Sequence, residues 1–120
     1  MNENAGRGLT HFFNAFHWSI AGFRSALFHE EAFRQEVVLF VILAPLGYWL
    51  GQTGVERALL IGSLFLVLVT ELLNTGVEAA IDRISEEHHD LSKRAKDVGS
   101  AAVFLALTNV IVVWSLVLIG

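Results

Sequence analysis

Residues 58–82 read ALLIGSLFLVLVTELLNTGVEAAID, and the point at which this stretch stops being apolar decides the fold. From Ala58 to Val69 it carries no charge, but about 12 residues make only ~18 Å of helix, well short of the ~30 Å of hydrocarbon in a bilayer. To cross, the helix must continue through Thr70 to about Ile81. That extension carries Glu71 and Asn74 to membrane depth or its interface, where ionisable and polar side chains are costly and usually functional.

Two further apolar runs flank this one. Residues 37–50, VVLFVILAPLGYWL, approach the ~20 residues of a span once Ala32, Phe33 and Gly51 are added, and Pro45 is expected to kink the helix by removing a donor. Residues 98–119 are long enough alone. The expected spans are therefore about 33–51, 57–82 and 97–119. Gly47 and Gly51 in the first have GxxxG spacing, a weak packing signal. Ahead of the first span, Phe12, Phe13, Phe16, Ile20, Phe23 and Leu27 share roughly 100° of a helix surface, which predicts an amphipathic helix over about 9–29. Such a helix either lies on the membrane surface or packs against the bundle.

Composition agrees with a membrane protein: 54% of the chain is apolar, 17% is charged, and the mean hydropathy is +0.57. At 120 residues it is read as a single domain, 1–120. A formal net charge of −4 without a basic patch excludes a nucleic-acid footprint. The lack of cysteine excludes disulfides, thiolate nucleophiles and cysteine-ligated metals. Arg7, Arg24 and Arg34 precede the first span, Arg57 alone follows it, and Arg83, Lys93, Arg94 and Lys96 separate the second from the third. By the positive-inside rule the N-terminus and the second loop are cytoplasmic and the C-terminus faces outward.

Glu71, Asn74, Glu78 and Asp82 stand at i, i+3, i+7 and i+11, within about 80° of one helix face. A polar stripe thus descends from the membrane into the cytosol. It leads to residues 83–97, RISEEHHDLSKRAKD, which mix acids, histidines and bases. This segment reads as a charged loop or as a binding site. Zinc would need further ligands at suitable spacing, whereas Mg²⁺ bound to phosphates needs only one or two carboxylates. Lys96 could neutralise phosphate oxygens, and Glu30 or Glu31 could add a carboxylate from the same side. No P-loop, protein-kinase signature or GxSxG elbow occurs. An acidic stripe near a membrane also fits a small ion- or proton-conducting protein.

The stretches ELLNTGVEAAIDRI (71–84), LSKRAKDVGSAAV (91–103) and EAFRQE (31–36) resemble, in order and spacing, the signature blocks of the prokaryotic diacylglycerol kinases, small three-span membrane enzymes. The likeness covers essentially the whole chain. It implies an all-α homotrimer with shared active sites, a surface helix and three spans per subunit, in the bacterial inner membrane with a cytoplasmic N-terminus and periplasmic C-terminus. It implies an ATP- and Mg²⁺-dependent kinase converting 1,2-diacylglycerol to phosphatidate. The AFRQE segment is more similar to the diacylglycerol kinases than to the undecaprenol kinases, the closest alternative.

Carried over residue by residue, the resemblance makes Glu71 the general base, with Asn74 beside it and Lys96 also catalytic. Glu30 and Glu78 would hold the metal with ATP. The nucleotide would meet Lys96, Asp97, Asp82, Glu87, His88 and His89, together with His11 and Trp18 from the first helix. Gln35, Arg57 and Ser100 would join Glu71 near the lipid. His11 stands where the nearest family members have arginine, and Arg7 is placed to substitute for it.

Overall fold

In the computed structural model, which describes residues 2–84 and 89–120, the chain forms four helices: α1 Asn2–His29, α2 Glu31–Leu50, α3 Gly54–Ile84 and α4 Asp90–Leu118. The last three are each long and apolar enough to cross a membrane, as the three expected spans require. The chain is an all-α, multi-pass membrane protein.

Local chemistry fixes where each helix stops. Glu30 is extended (φ −113°, ψ 110°), and Nη1 of Arg34 donates to the Leu27 and Phe28 carbonyls, both at 2.9 Å. These carbonyls belong to the last turn of α1 and lack partners within the helix, so a cation there satisfies them and suits the negative end of the helix dipole. Thr53 Oγ1 accepts from the Glu56 N–H at 3.1 Å, an N-cap for α3. His89 Nδ1 accepts from the Leu91 N–H at 3.0 Å and caps α4.

Two helices outrun the bilayer. The 31 residues of α3 and 29 of α4 rise about 46 and 43 Å, against ~30 Å of hydrocarbon. Residues 90–97, open between loop and binding site in the sequence, are helix, and α4 is longer than a crossing requires. α1 likewise begins well before the expected residue 9. α2 runs through Pro45 without a break in its helix.

α3 is the central helix: it buries more side chains than α2 or α4. Its Leu60, Leu64 and Val67 form much of the small core, with Phe33 of α2 and Ala106 of α4. Trp114 of α4 donates from Nε1 to the Leu60 carbonyl at 3.1 Å and to Ser63 Oγ at 3.2 Å, while Ser63 Oγ donates to the same carbonyl at 2.8 Å. Polar contacts of this kind hold helices together where lipid supplies no hydrophobic drive between them. Gly47 of α2 admits this knot, since a Cβ there would meet Leu60 Cβ at 3.2 Å and the Trp114 ring at 3.3 Å. The GxxxG signal thus has a structural counterpart at Gly47.

α1 covers little. Phe12, Phe13, Phe16, Trp18 and Phe23 remain exposed, so the apolar stripe is not consumed by the chain's own bundle, an arrangement that suits a helix lying on a membrane surface. The radius of gyration, 18.0 Å, exceeds the ~14 Å of a compact globule of this length.

Candidate active site

Helix heights bring the chemistry together. Glu71 lies 17 residues into α3 from Gly54, roughly 25 Å, and Glu36 lies 14 residues back along α2 from Leu50, roughly 21 Å. Because the two helices are joined by a tight turn and run antiparallel, these carboxyls arrive at similar depth. Oε2 of Glu36 is buried there without a donor among the described residues. The same reasoning across the next connection sets Asn74, 10 residues before Ile84, opposite Gly99, 9 residues after Asp90.

Glu71 and Asn74 are the buried members of the stripe, with 7% and 9% of their surface exposed. A buried amide and carboxyl need partners. Asn74 Nδ2 donates to Glu78 Oε1 at 3.3 Å, one turn along. Asn74 Oδ1 is buried without a donor and lies against Gly99, where any Cβ would overlap it. Glycine at 99 is what lets α4 approach the amide. Glu30 and Glu78 both stand within electrostatic range of Glu71.

Below this buried part the stripe opens to solvent. Lys96 Nζ of α4 donates to Asp82 Oδ1 of α3 at 2.7 Å, both side chains being substantially exposed. The hydrogen bond to Asp82, and then its charge, hold the Lys96 ammonium above its usual range. Lys96 is thus a standing cation close to Glu78. Exposed pairs contribute little to stability, so Lys96 can exchange Asp82 for a phosphate at small cost. Lys93 makes the corresponding pair with Asp97 at 2.7 Å, one turn along α4.

The remaining predicted residues are distributed more widely. Gln35 donates to Glu31 Oε1 at 3.5 Å on the exposed side of α2, and Ser100 is exposed beside Gly99. Arg57 stands at the other end of the bundle, about 21 Å along α3 from Glu71, where its Nε donates to the Tyr48 carbonyl at 2.8 Å and its guanidinium lies 4.5 Å from the Tyr48 ring centroid. His11 and Trp18 pair edge to face on α1, centroids 6.2 Å apart. No hydrogen bond or ion pair among the described residues joins them to Glu71. His89 serves α4 as its cap, and Glu87 and His88 lie outside the described residues.

Sequence reasoning passed over Glu36. It closes the EAFRQE block, and the depth argument applied to Glu71 reaches it too, because it directly precedes the apolar run from Val37.

Metal chemistry fits the residues present. Among the described residues no three histidines or carboxylates gather into a closed cage. Mg²⁺ does not need one, since it uses one or two carboxylates and leaves its other positions to phosphate and water. Glu30 makes no cap hydrogen bond with its side chain, and only one oxygen of Glu78 accepts from Asn74, so each retains free hard-oxygen capacity.

Residues 17–118 match the family described as prokaryotic diacylglycerol kinase. The chain belongs to this family. A diacylglycerol kinase of Haemophilus influenzae is 51% identical over 107 residues, covering 89% of this chain and 91% of that protein. One from Pseudomonas aeruginosa is 50% identical over 113 residues, covering 94% and 92%, and one from Escherichia coli K12 is 42% identical over 111 residues, covering 92% and 91%. The match takes in the end of α1 and all three spans, so membership in the diacylglycerol kinase family extends over every element that builds the site.

Proposed function

We propose that this chain is an ATP-dependent diacylglycerol kinase that transfers the γ-phosphoryl group of ATP to the free hydroxyl of 1,2-diacylglycerol, giving phosphatidate and ADP. The observation that carries the reading is the depth of Glu71: a buried carboxyl roughly 25 Å along a helix that needs ~30 Å to cross, at the junction of apolar span and solvated stripe. A diacylglycerol hydroxyl can rise no further than this interface, and ATP stays in water. Glu71 stands where the two can meet.

In this reading Glu71 accepts the proton of the hydroxyl as its oxygen bonds to the γ-phosphorus and the bond to the β–γ bridging oxygen breaks. Asn74 holds Glu78 by its amide. Lys96 moves from Asp82 to the phosphate oxygens, adding positive charge where the transition state spreads negative charge. Glu30 and Glu78 would hold Mg²⁺, which neutralises the phosphates and orients them when bound. Asp82, Asp97, Glu87, His88 and His89 form the nucleotide side, with His11 and Trp18 contributed by α1. Gln35 and Ser100 flank the lipid head near Glu71, and Arg57 meets lipid at the opposite membrane face.

The same reading sets the protein in the bacterial inner membrane, N-terminus cytoplasmic and C-terminus periplasmic, as a homotrimer with sites at its interfaces. Cyclic symmetry would repeat one site at each contact. The test is transfer of label from γ-labelled ATP to lipid by purified protein in bilayers, with diacylglycerol and undecaprenol offered separately. Label in phosphatidate alone supports the reading, and label in undecaprenyl phosphate alone overturns the choice of acceptor.

A further inference from the structure

Of the two ion pairs among the described residues, Lys93 with Asp97 lies within α4, one turn apart, while Lys96 with Asp82 joins α4 to α3 at 2.7 Å. The second pair holds a cation that the proposed reaction needs free. Asp82 stands one turn, about 6 Å, beyond Glu78 on the same face of α3. Phosphates carried by a metal at Glu78 therefore come within a turn of Lys96 Nζ. The two partners differ in what they can do next. Lysine carries its charge on a flexible four-carbon stem and can swing by that distance with its backbone still, whereas the short aspartate side chain cannot follow. Both side chains are open to water, Lys96 44% and Asp82 67% exposed, so a carboxylate left behind is rehydrated and not stranded as a buried charge. Asp82 already has Lys96 as its partner, while Glu30 makes no cap hydrogen bond with its side chain and Glu78 keeps one oxygen free for metal.

We propose that Asp82 competes with the nucleotide for Lys96: it holds the ammonium in the empty site, yields it to the phosphates of MgATP, and takes it back as MgADP leaves. In this role Asp82 opposes nucleotide binding, where a direct ligand of the nucleotide or its metal would favour it. The exchange is one of ionic contacts alone, with no covalent bond made or broken in either side chain. Its size is that of an exposed ion pair, so it tunes affinity by a small factor and leaves the chemical step to Glu71. Substrate and product phosphates meet the same competitor, so the hold on MgATP is loosened and the release of MgADP is eased together. The inference rests on the reading of Lys96 as the cation that meets the phosphates.

The experiment titrates the purified protein in bilayers with Mg²⁺ and a non-hydrolysable ATP analogue, and separately with MgADP. It compares the parent with Asp82→Asn, Asp82→Glu, Lys96→Met and the double variant Asp82→Asn with Lys96→Met. Asp82→Asn is expected to lower Kd for both nucleotides about two- to fivefold, the range of an exposed pair. Asp82→Glu keeps a carboxylate beside Lys96 and is expected to restore the parental Kd. Lys96→Met is expected to bind both nucleotides more weakly, and adding Asp82→Asn to it should bring little of the gain seen with Lys96 in place. A Kd that rises in Asp82→Asn marks Asp82 as a ligand of the nucleotide or its metal and overturns the proposal. An unchanged Kd overturns it too, and so does an equal gain with and without Lys96, which is charge repulsion alone. If Lys96→Met binds as tightly as the parent, Lys96 is not the phosphate cation, and the role of Asp82 falls with that reading. These titrations need no turnover, so their outcome is independent of Glu71 and of the choice of lipid acceptor.

Discussion

Replacing Gly99 by alanine tests whether α4 is seated against the polar stripe of α3 as described. The new Cβ would overlap Asn74 Oδ1, and Asn74 Cγ lies 3.1 Å from the same point. The amide is buried, so it cannot simply swing into solvent. Either it rotates, losing the 3.3 Å hydrogen bond to Glu78, or α4 backs away from α3. Losing a hydrogen bond costs about 0.5–1.5 kcal/mol and overpacking a fitted contact about 1–3 kcal/mol, so a rigid frame would be destabilised by roughly 2–4 kcal/mol. A frame that yields would keep its stability and lose turnover, on the order of 10²-fold for a displacement of about 1 Å. Gly76→Ala on α3 is the control, because a Cβ there meets nothing within 4 Å and alanine is the better helix former by about 1 kcal/mol. Denaturant unfolding in mixed micelles and lipid phosphorylation in bilayers would be measured on both proteins. If Gly99→Ala matches Gly76→Ala in both, α4 does not approach Asn74 this closely and the site as described is wrong.

Three further outcomes follow from the same geometry. Glu71→Gln should assemble and bind MgATP but transfer phosphate ~10²- to 10⁴-fold more slowly, the range for loss of a general base, and near-normal turnover would remove it from the mechanism. Glu30→Gln and Glu78→Gln should each need more Mg²⁺ for half-maximal activity, as each deletes one charged oxygen ligand; unchanged Mg²⁺ titrations in both would refute the metal assignment. Trp114→Phe removes the donor to Leu60 and Ser63 and should cost about 1 kcal/mol in unfolding stability with little change in KM, whereas unchanged stability would show that the knot is not holding the bundle.

Element number and order were legible in the sequence because a bilayer imposes a length rule. Residues 58–69 are too short to cross, and that deficit alone led to Glu71 and Asn74, both of which are buried. Periodicity likewise exposed the face shared with Glu78 and Asp82. What could not be read was anything set by contacts between helices. Gly99 has no pattern that announces an amide against it, and Lys96 gave no hint that its partner would be Asp82, 14 residues away. The helix over 90–97 was hidden because its charges resemble a loop, while its start depends on a histidine acting as a cap, a role usually held by Ser, Thr, Asp or Asn. Glu36 stands directly ahead of the apolar run from Val37, where a carboxyl reads as the solvated flank of a span.

The location of the unpaired groups separates stability from function in this chain. Most apolar side chains of α4 are exposed, but in lipid that exposure costs nothing and demands no partner, because acyl chains are as apolar as leucine. Buried polar atoms are different, since folded proteins leave few of them without a hydrogen bond. Among the described residues the buried side-chain oxygens without a donor are Glu36 Oε2 on α2 and Asn74 Oδ1 on α3. A sequence optimised only to hold three helices together would have leucine at such depths, and the exchange would often stabilise it. Carboxyls and an amide retained at the height where a lipid hydroxyl and a nucleotide could both arrive are the groups that the proposed phosphoryl transfer would use. Local rules of folding are broken where the site is, and nowhere else along α3 does a buried oxygen go unpaired.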